Sequence, residues 1–227
     1  MADATFAIQW DQDGERLYET GTDRGVLYPD APAANSEGHA HDGAVAWNGL
    51  TGFTESPEGA EANPIYADNM KYLNLRSAED YGCNISAYTY PEEFEECNGR
   101  KKGADGVYLG QQPRKPFGFC CRTLIGNDVE GDQHGYKLHL VYGCSASPSE
   151  QAYQTVNDSP EAIEFSWDID TIPNVNVPTG MKPCACLTID STKTDATKLA
   201  ALEAILYGSG ATVGYLPTPA KVCELLT

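Results

Sequence analysis

The chain has 227 residues, 41% hydrophobic and 21% charged, proportions of an ordinary folded soluble protein that argue against disorder over most of its length. Its 33 acidic residues against 15 basic ones give a formal net charge of −18 at pH 7, which disfavours ordinary DNA or RNA binding by simple Coulomb repulsion. The start, from Met1 to Asp11, lacks a basic segment followed by an apolar run, and no stretch approaches the roughly 20 apolar residues of a membrane helix, so synthesis and folding in cytoplasm are expected.

In chain order, Phe6, Ile8 and Trp10 alternate with Ala7 and Gln9 in the period of a strand. Residues 11–44, rich in Asp, Gly, Ala and Pro, read as an extended arm or loop outside the core. Val45–Trp47 and Ile85–Tyr90 are short strand candidates, with a turn at Ser56-Pro57-Glu58-Gly59 between them. Tyr66–Leu73 and Pro91–Cys97 read as short helical turns.

Leu138, Leu140 and Tyr142 repeat the alternation with Lys137, His139 and Val141 between them, and Phe117, Phe119 and Cys121 repeat it again. Between them, 126–135 reads as the polar loop of a long antiparallel hairpin. Turns follow at Ser147-Pro148 and Ser159-Pro160. Ile163, Phe165, Trp167 and Ile169 alternate with Glu164, Ser166, Asp168 and Asp170, a half-buried strand with one apolar and one acidic face. Ala185, Leu187 and Ile189 repeat the pattern.

Beyond those short turns, a helix is expected over 194–207. Thr194 or Asp195 can cap it, Leu199, Leu202 and Leu206 share a face, and Gly208 and Gly210 end it. Many strands with one helix predict a single mainly-β domain over 1–227: a β-sandwich or partly open barrel with one flanking α-helix.

Each candidate for chemistry is weaker than its structural alternative. The eight cysteines lack the paired spacing of structural zinc and are expected as reduced, packed thiols. His39-Ala40-His41-Asp42 sits in a Gly/Ala/Asp stretch and reads as a solvent-exposed loop without further ligands. His134 and His139 flank the hairpin, and no Ser or Cys stands in a nucleophile-elbow context. Asp128, Glu130 and Asp132 resemble a calcium loop only superficially, because the position that should hold Gly is Gln133. Glu92, Glu93, Glu95 and Glu96 followed by Arg100, Lys101 and Lys102 read as a solvated surface, or as an acidic patch that meets a basic one on a neighbouring copy. No catalytic residue, cofactor or metal is expected.

Particular strings carry more than these statistics. Trp47-Asn-Gly-Leu-Thr-Gly-Phe-Thr-Glu-Ser-Pro-Glu-Gly, Tyr66-Ala-Asp-Asn-Met-Lys-Tyr-Leu and Tyr88-Thr-Tyr-Pro-Glu-Glu-Phe resemble the major tail (tail tube) proteins of long-tailed bacteriophages. So do Arg122-Thr-Leu-Ile-Gly-Asn-Asp-Val-Glu-Gly, His134-Gly-Tyr-Lys-Leu-His-Leu-Val-Tyr-Gly, Asn157-Asp-Ser-Pro-Glu-Ala-Ile-Glu-Phe-Ser-Trp and Ile189-Asp-Ser-Thr-Lys, so that the likeness spans about residues 25–219. The resemblance implies a β-sandwich or barrel with a flanking helix, assembled in the virion tail as stacked hexameric rings. Hairpins from each subunit would join into one barrel around a channel through which DNA passes without specific binding. It implies as partners further copies of the chain, a tape measure protein, a tail terminator and distal tail proteins, and no cofactor. On that basis the hairpin 117–143 is expected to face the lumen through Asp128, Glu130 and Asp132, with 40–55 and 80–90 as the next strand pair and 11–44 reaching to the adjacent ring. The rival reading is a β-sandwich adhesion or receptor-binding module of a virion.

Overall fold

The computed structural model describes residues 8, 10–34, 36–59, 61–155 and 162–227; the strand pattern at Phe6 and the turn at Ser159-Pro160 lie outside them. The first half holds β1 (Tyr18–Tyr28), β2 (His39–Asp42), β3 (Val45–Trp47), β4 (Leu50–Glu55), β5 (Glu58–Gly59), β6 (Ala62–Ala67), β7 (Met70–Arg76), β8 (Glu79–Asp80), β9 (Gly82–Ala87) and α1 (Phe94–Cys97). The second half holds β10 (Lys101–Ala104), β11 (Val107–Leu109), β12 (Phe117–Asn127), β13 (Gly131–Ala146), β14 (Phe165–Thr171), β15 (Cys186–Asp190), α2 (Ala196–Tyr207), β16 (Tyr215–Pro217) and α3 (Pro219–Leu226).

The protein is mainly β. Its large sheet is antiparallel in the order β3-β1-β12-β13-β14-β9-β4, with β15 added to β13. The period-two runs decide which side each residue takes. On one side, Phe117, Phe119 and Cys121 of β12 join Trp47, Ile85, Phe94, Trp167 and Ile169 in an aromatic core. On the other, Cys120 joins Leu138, Leu140 and Tyr142 beneath Leu199, Leu202 and Leu206 of α2 and Val222 of α3. The long β13 serves both halves of the sheet, pairing with β15 over Lys137–Val141 and with β14 over Cys144–Ala146. Gly143 sits at the break with φ 57°, and a Cβ there would lie 2.3 Å from the carbonyl oxygen of Ile172, so the bend requires glycine.

The sheet curls until Trp47 lies 5.7 Å from Phe119 and 5.5 Å from Trp167, centroid to centroid. It does not close: β3 and β4 stand at its two ends and share no ladder. The helix expected over 194–207 is α2, capped by Asp195, which accepts from the amides of Thr197 at 2.9 Å and Lys198 at 3.1 Å. The short helical turn expected at Pro91–Cys97 is α1, and the expectation of one flanking helix is corrected by α3. Thr218 caps α3 and Pro219 opens it, a start signal that was readable in the sequence.

Three further expectations are corrected. Residues 11–44 are not all an arm outside the core, because β1 runs between β12 and β3 and buries Val26, Leu27 and Tyr28. Its three consecutive apolar residues serve both faces, and register shifts near Gly21 (φ 62°) and Arg24 (φ 49°) erase the alternation. His39–Asp42, expected as a loop, is β2, paired with β16. The polar loop 126–135 shrinks to Asp128–Glu130, since Asn127 pairs with Gly131 and its side-chain oxygen accepts from the amides of Val129 and Glu130.

Candidate functional site

The chain between Leu50 and Ala87 is one antiparallel ribbon. Registers run from Glu55↔Cys83 in β4–β9 through Glu58↔Asp80 in β5–β8 to Ala62↔Arg76 and Ala67↔Met70 in β6–β7. Asp68 and Asn69 close it with φ of 50° and 61°, the paired left-handed residues of a two-residue hairpin turn. Tyr66–Leu73, expected as a helical turn, is therefore the ribbon's tip.

The base of the ribbon is held in the core by Phe53, Cys83 and Ile85. Beyond it, β6 pairs only with β7 among the described residues, and from Ala62 to Ala67 it spans about 17 Å at the usual rise per residue. Tyr66 is 69% exposed, Tyr72 67% and Met70 64%, and Ile65, Leu73 and Leu75 are also open to solvent. Ile65 stands opposite Leu73, and Asn63 opposite Leu75, so these apolar side chains share one face. An isolated two-stranded ribbon is marginal in water, and an apolar patch of this extent marks a contact surface. The segment 62–76 carries two cations, Lys71 and Arg76, against one carboxylate, Asp68, in a chain that is otherwise strongly acidic.

The second open feature is the seam between the ends of the sheet. A cavity of about 460 Å³ lies there, lined by Val26, Trp47, Leu50 and Tyr207 among others. The unpaired edges of β3 and β4 are templates for another strand.

Asp128, Glu130 and Asp132 share the β12–β13 tip but do not converge. Asp128 accepts from the Gly14 amide at 2.9 Å and from Arg16 Nη1 at 3.0 Å, and its side chain is only 24% exposed. Glu130 lies 2.7 Å from His134 Nδ1, and Asp132 accepts from Gln133 Nε2 at 2.9 Å. The acidic and basic run 92–102 largely closes on itself. Lys102 reaches Glu92 at 3.1 Å, Arg100 lies 3.5 Å from Glu95, and Lys115 lies 4.0 Å from Glu96. The Tyr108 hydroxyl, donating to Glu92 at 2.6 Å, and then Lys102 hold that carboxyl below its usual range. Glu93 and Lys101 are exposed and make no ion pair among the described residues.

The acidic face foreseen for β14 exists. Asp168 accepts from Asn84 Nδ2 at 2.8 Å, Glu164 from the Thr51 hydroxyl, and Asp170 from the Ser147 hydroxyl at 2.6 Å. On this side of β13, neither β14, nor β9 beside it, nor β4 beyond β9 contributes a cation.

Several groups able to do chemistry have structural surroundings. Thr123, His139 and Glu55 align a hydroxyl, an imidazole and a carboxylate at 2.9 and 3.5 Å, but His139 packs 5.7 Å from Phe53 inside the curl. Burial pushes the thiols of Cys83 and Cys97 up to about 12, so they stay protonated and unreactive at neutral pH. All eight cysteines are free, five of them buried. Among the described residues, no group of three or more His, Cys, Asp or Glu side chains is placed to hold a metal ion.

No protein-family model matches this chain, and no curated protein matches it. The ribbon tip was missed in the sequence because its apolar residues face solvent and follow no burial period; the signal available was Asp68-Asn69 between two apolar runs.

Proposed function

We propose that this chain is a structural subunit of a hollow protein tube: the tail tube protein of a long-tailed bacteriophage, built as stacked six-membered rings through which DNA passes. The observation that carries the reading is the ribbon 58–80, which leaves the core and ends in exposed Tyr66, Met70 and Tyr72. A ribbon of this kind is completed by a neighbouring molecule. Identical subunits that each offer an arm and an open sheet edge make heterologous contacts, which close into rings or stack without end. The sequence likeness to tail tube proteins supplies the ring size and the role.

The charge distribution supports passage of a polyanion. Glu130 and Asp132 remain at the β12–β13 tip, and the outer face of β14 adds Asp168 and Asp170, with Glu164 just before the strand. Duplex DNA carries about one charge per 1.7 Å and does not adhere to a like-charged wall.

Negative-stain microscopy of the purified chain tests the reading. Hollow filaments or six-fold rings are expected, and the triple substitution Tyr66→Ser, Met70→Ser, Tyr72→Ser should leave a folded monomer without them. A chain that stays monomeric at every concentration, also when the other tail proteins are supplied, overturns it.

A further inference from the structure

We propose that the cleft between Arg100 and Arg114 is a carboxylate-binding site, and that its ligand is an aspartate or glutamate side chain of a second copy of this chain. The cleft has a volume of about 500 Å³ and lies where the end of α1, the loop 110–114 and the segment 148–151 meet. It is lined by Asn98, Arg100, Gln111, Gln112, Arg114 and Gln151 and by no carboxylate, in a chain with 33 acidic residues.

Arg114 is the anomaly. It is half-buried, and its described bonds run from Nη1 to neutral oxygens, Asn98 Oδ1 at 3.2 Å and the Ala146 carbonyl at 2.8 Å. No carboxylate pairs with it among the described residues. Arg100 donates from Nη2 to Gln151 at 2.9 Å and, among the described residues, has Glu95, 3.5 Å from Nη1, as its one counter-charge. Of the two guanidinium groups, Arg100 alone has a carboxylate beside it among the described residues. Taking a cation partly out of water without a counter-ion is costly, and an incoming carboxylate removes that cost. A guanidinium presents five donors in a planar fork that fits a carboxylate with two parallel bonds.

The loop is held open for such a ligand. The Gln112 amide donates to the Gly99 carbonyl at 3.0 Å and its side-chain Nε2 donates to Gly110 at 3.1 Å, so the backbone on both sides is fixed. Gly99, at φ 78°, lets the Arg114 side chain lie against the backbone; a Cβ there would come within 3.4 Å of it. The affinity for an anion follows from the cleft alone. The source of the carboxylate rests on the tube reading above and on the excess of acidic groups over the rest of the surface.

Sodium acetate, titrated against sodium chloride at matched ionic strength and followed by amide chemical shifts, tests the cleft. Shifts confined to Gly99, Arg100 and Gly110–Gln112 are expected, with millimolar affinity. Arg114→Gln should weaken acetate binding about tenfold, the value of one or two charge-assisted bonds. Arg114→Lys keeps the charge without the fork and should fall between, so a folding defect in the glutamine variant leaves the question readable. Equal responses to acetate and chloride overturn the site. For the second copy, folded Arg114→Gln that loses acetate binding and forms no tubes, where the parent chain does, supports it. Normal tubes from that variant overturn the second-copy source, whereas a parent chain that binds acetate and never forms tubes counts against the tube reading and leaves the cleft standing.

Discussion

Arg16 and Asp128 are 112 positions apart and meet at 3.0 Å, and through them the amino-terminal segment is strapped to the tip of the β12–β13 hairpin. The Gly14 amide takes the other oxygen of the same carboxylate at 2.9 Å, and Asn127 Nδ2 donates back to the Gly14 carbonyl at 3.2 Å. Asp128 therefore serves the fold before it can serve a channel, and Ile8, Trp10 and Leu17 sit exposed on either side of the strap.

Removing that carboxylate should free the strap and little else. Asp128→Ala is expected to cost about 1 kcal/mol or less, because Arg16 is half exposed and the pair is screened by solvent. Trypsin cleavage after Arg16 should accelerate, with the remaining digestion pattern unchanged. An unaltered cleavage rate at Arg16 shows that the strap is held by something else.

Acid should destabilise the protein in two stages. Burial holds the imidazoles of His41 and His139 below the ordinary value near 6.5, against the opposing pull of Asp30 and Asp42 on His41 and of Glu55 and Glu19 on His139. The unfolded chain then takes up these protons at higher pH than the folded one, so their contribution is present above about 6.5 and is lost as pH falls. A second loss sets in below about pH 4, where the unfolded chain takes up protons at higher pH than folded Asp23, held low chiefly by its bond from Arg122, and Asp195, held low by the α2 amides. Melting temperature measured across this range should fall in both windows. His41→Asn with His139→Asn should flatten the upper one alone; a slope that persists there refutes the assignment.

The two apolar surfaces should respond oppositely to truncation. Leu202→Ala removes a fully buried side chain beneath α2 and is expected to cost about 2–5 kcal/mol. Leu75→Ser, at an exposed position on the ribbon, should change monomer stability by about 0.5 kcal/mol or less while impairing assembly. Chemical denaturation and microscopy separate these outcomes. A large stability loss for Leu75→Ser would mean that the ribbon packs within its own molecule.

That contrast also marks what could be read from the chain. Phe117, Phe119 and Cys121, and Phe165, Trp167 and Ile169, face one core because their own molecule buries them, and burial imposes the period of two. In β1, Val26, Leu27 and Tyr28 are buried one after another on both sides of the sheet, so the period vanishes. Tyr66, Met70 and Tyr72 follow no period because nothing among the described residues covers them. Arg114 looked like any surface arginine, since the missing counter-charge is a property of the folded neighbourhood and of no local string. The run 92–102 was legible as charge, but its closure onto Tyr108 and Lys115 required the fold.

The packing of β2 and β16 over β12 gives a last test, centred on Gly118. A Cβ at this position would lie 2.6 Å from Leu216 Cδ2 and 3.0 Å from His41 Cδ2, closer than side chains pack. Leu216 is fully buried and its strand runs directly into α3, so it cannot retreat into solvent. Gly118→Ala should therefore push β16 and β2 off the sheet together, at a cost of about 1–3 kcal/mol. Hydrogen exchange should rise first at Leu216 and His41, which are paired across the β2–β16 ladder, and not in β14 or β9 on the far side of the sheet. Leu216→Ala in the same background should recover part of the loss by making room for the added methyl group. Additive destabilisation by the two substitutions would show that the contact between Gly118 and Leu216 does not limit the packing there.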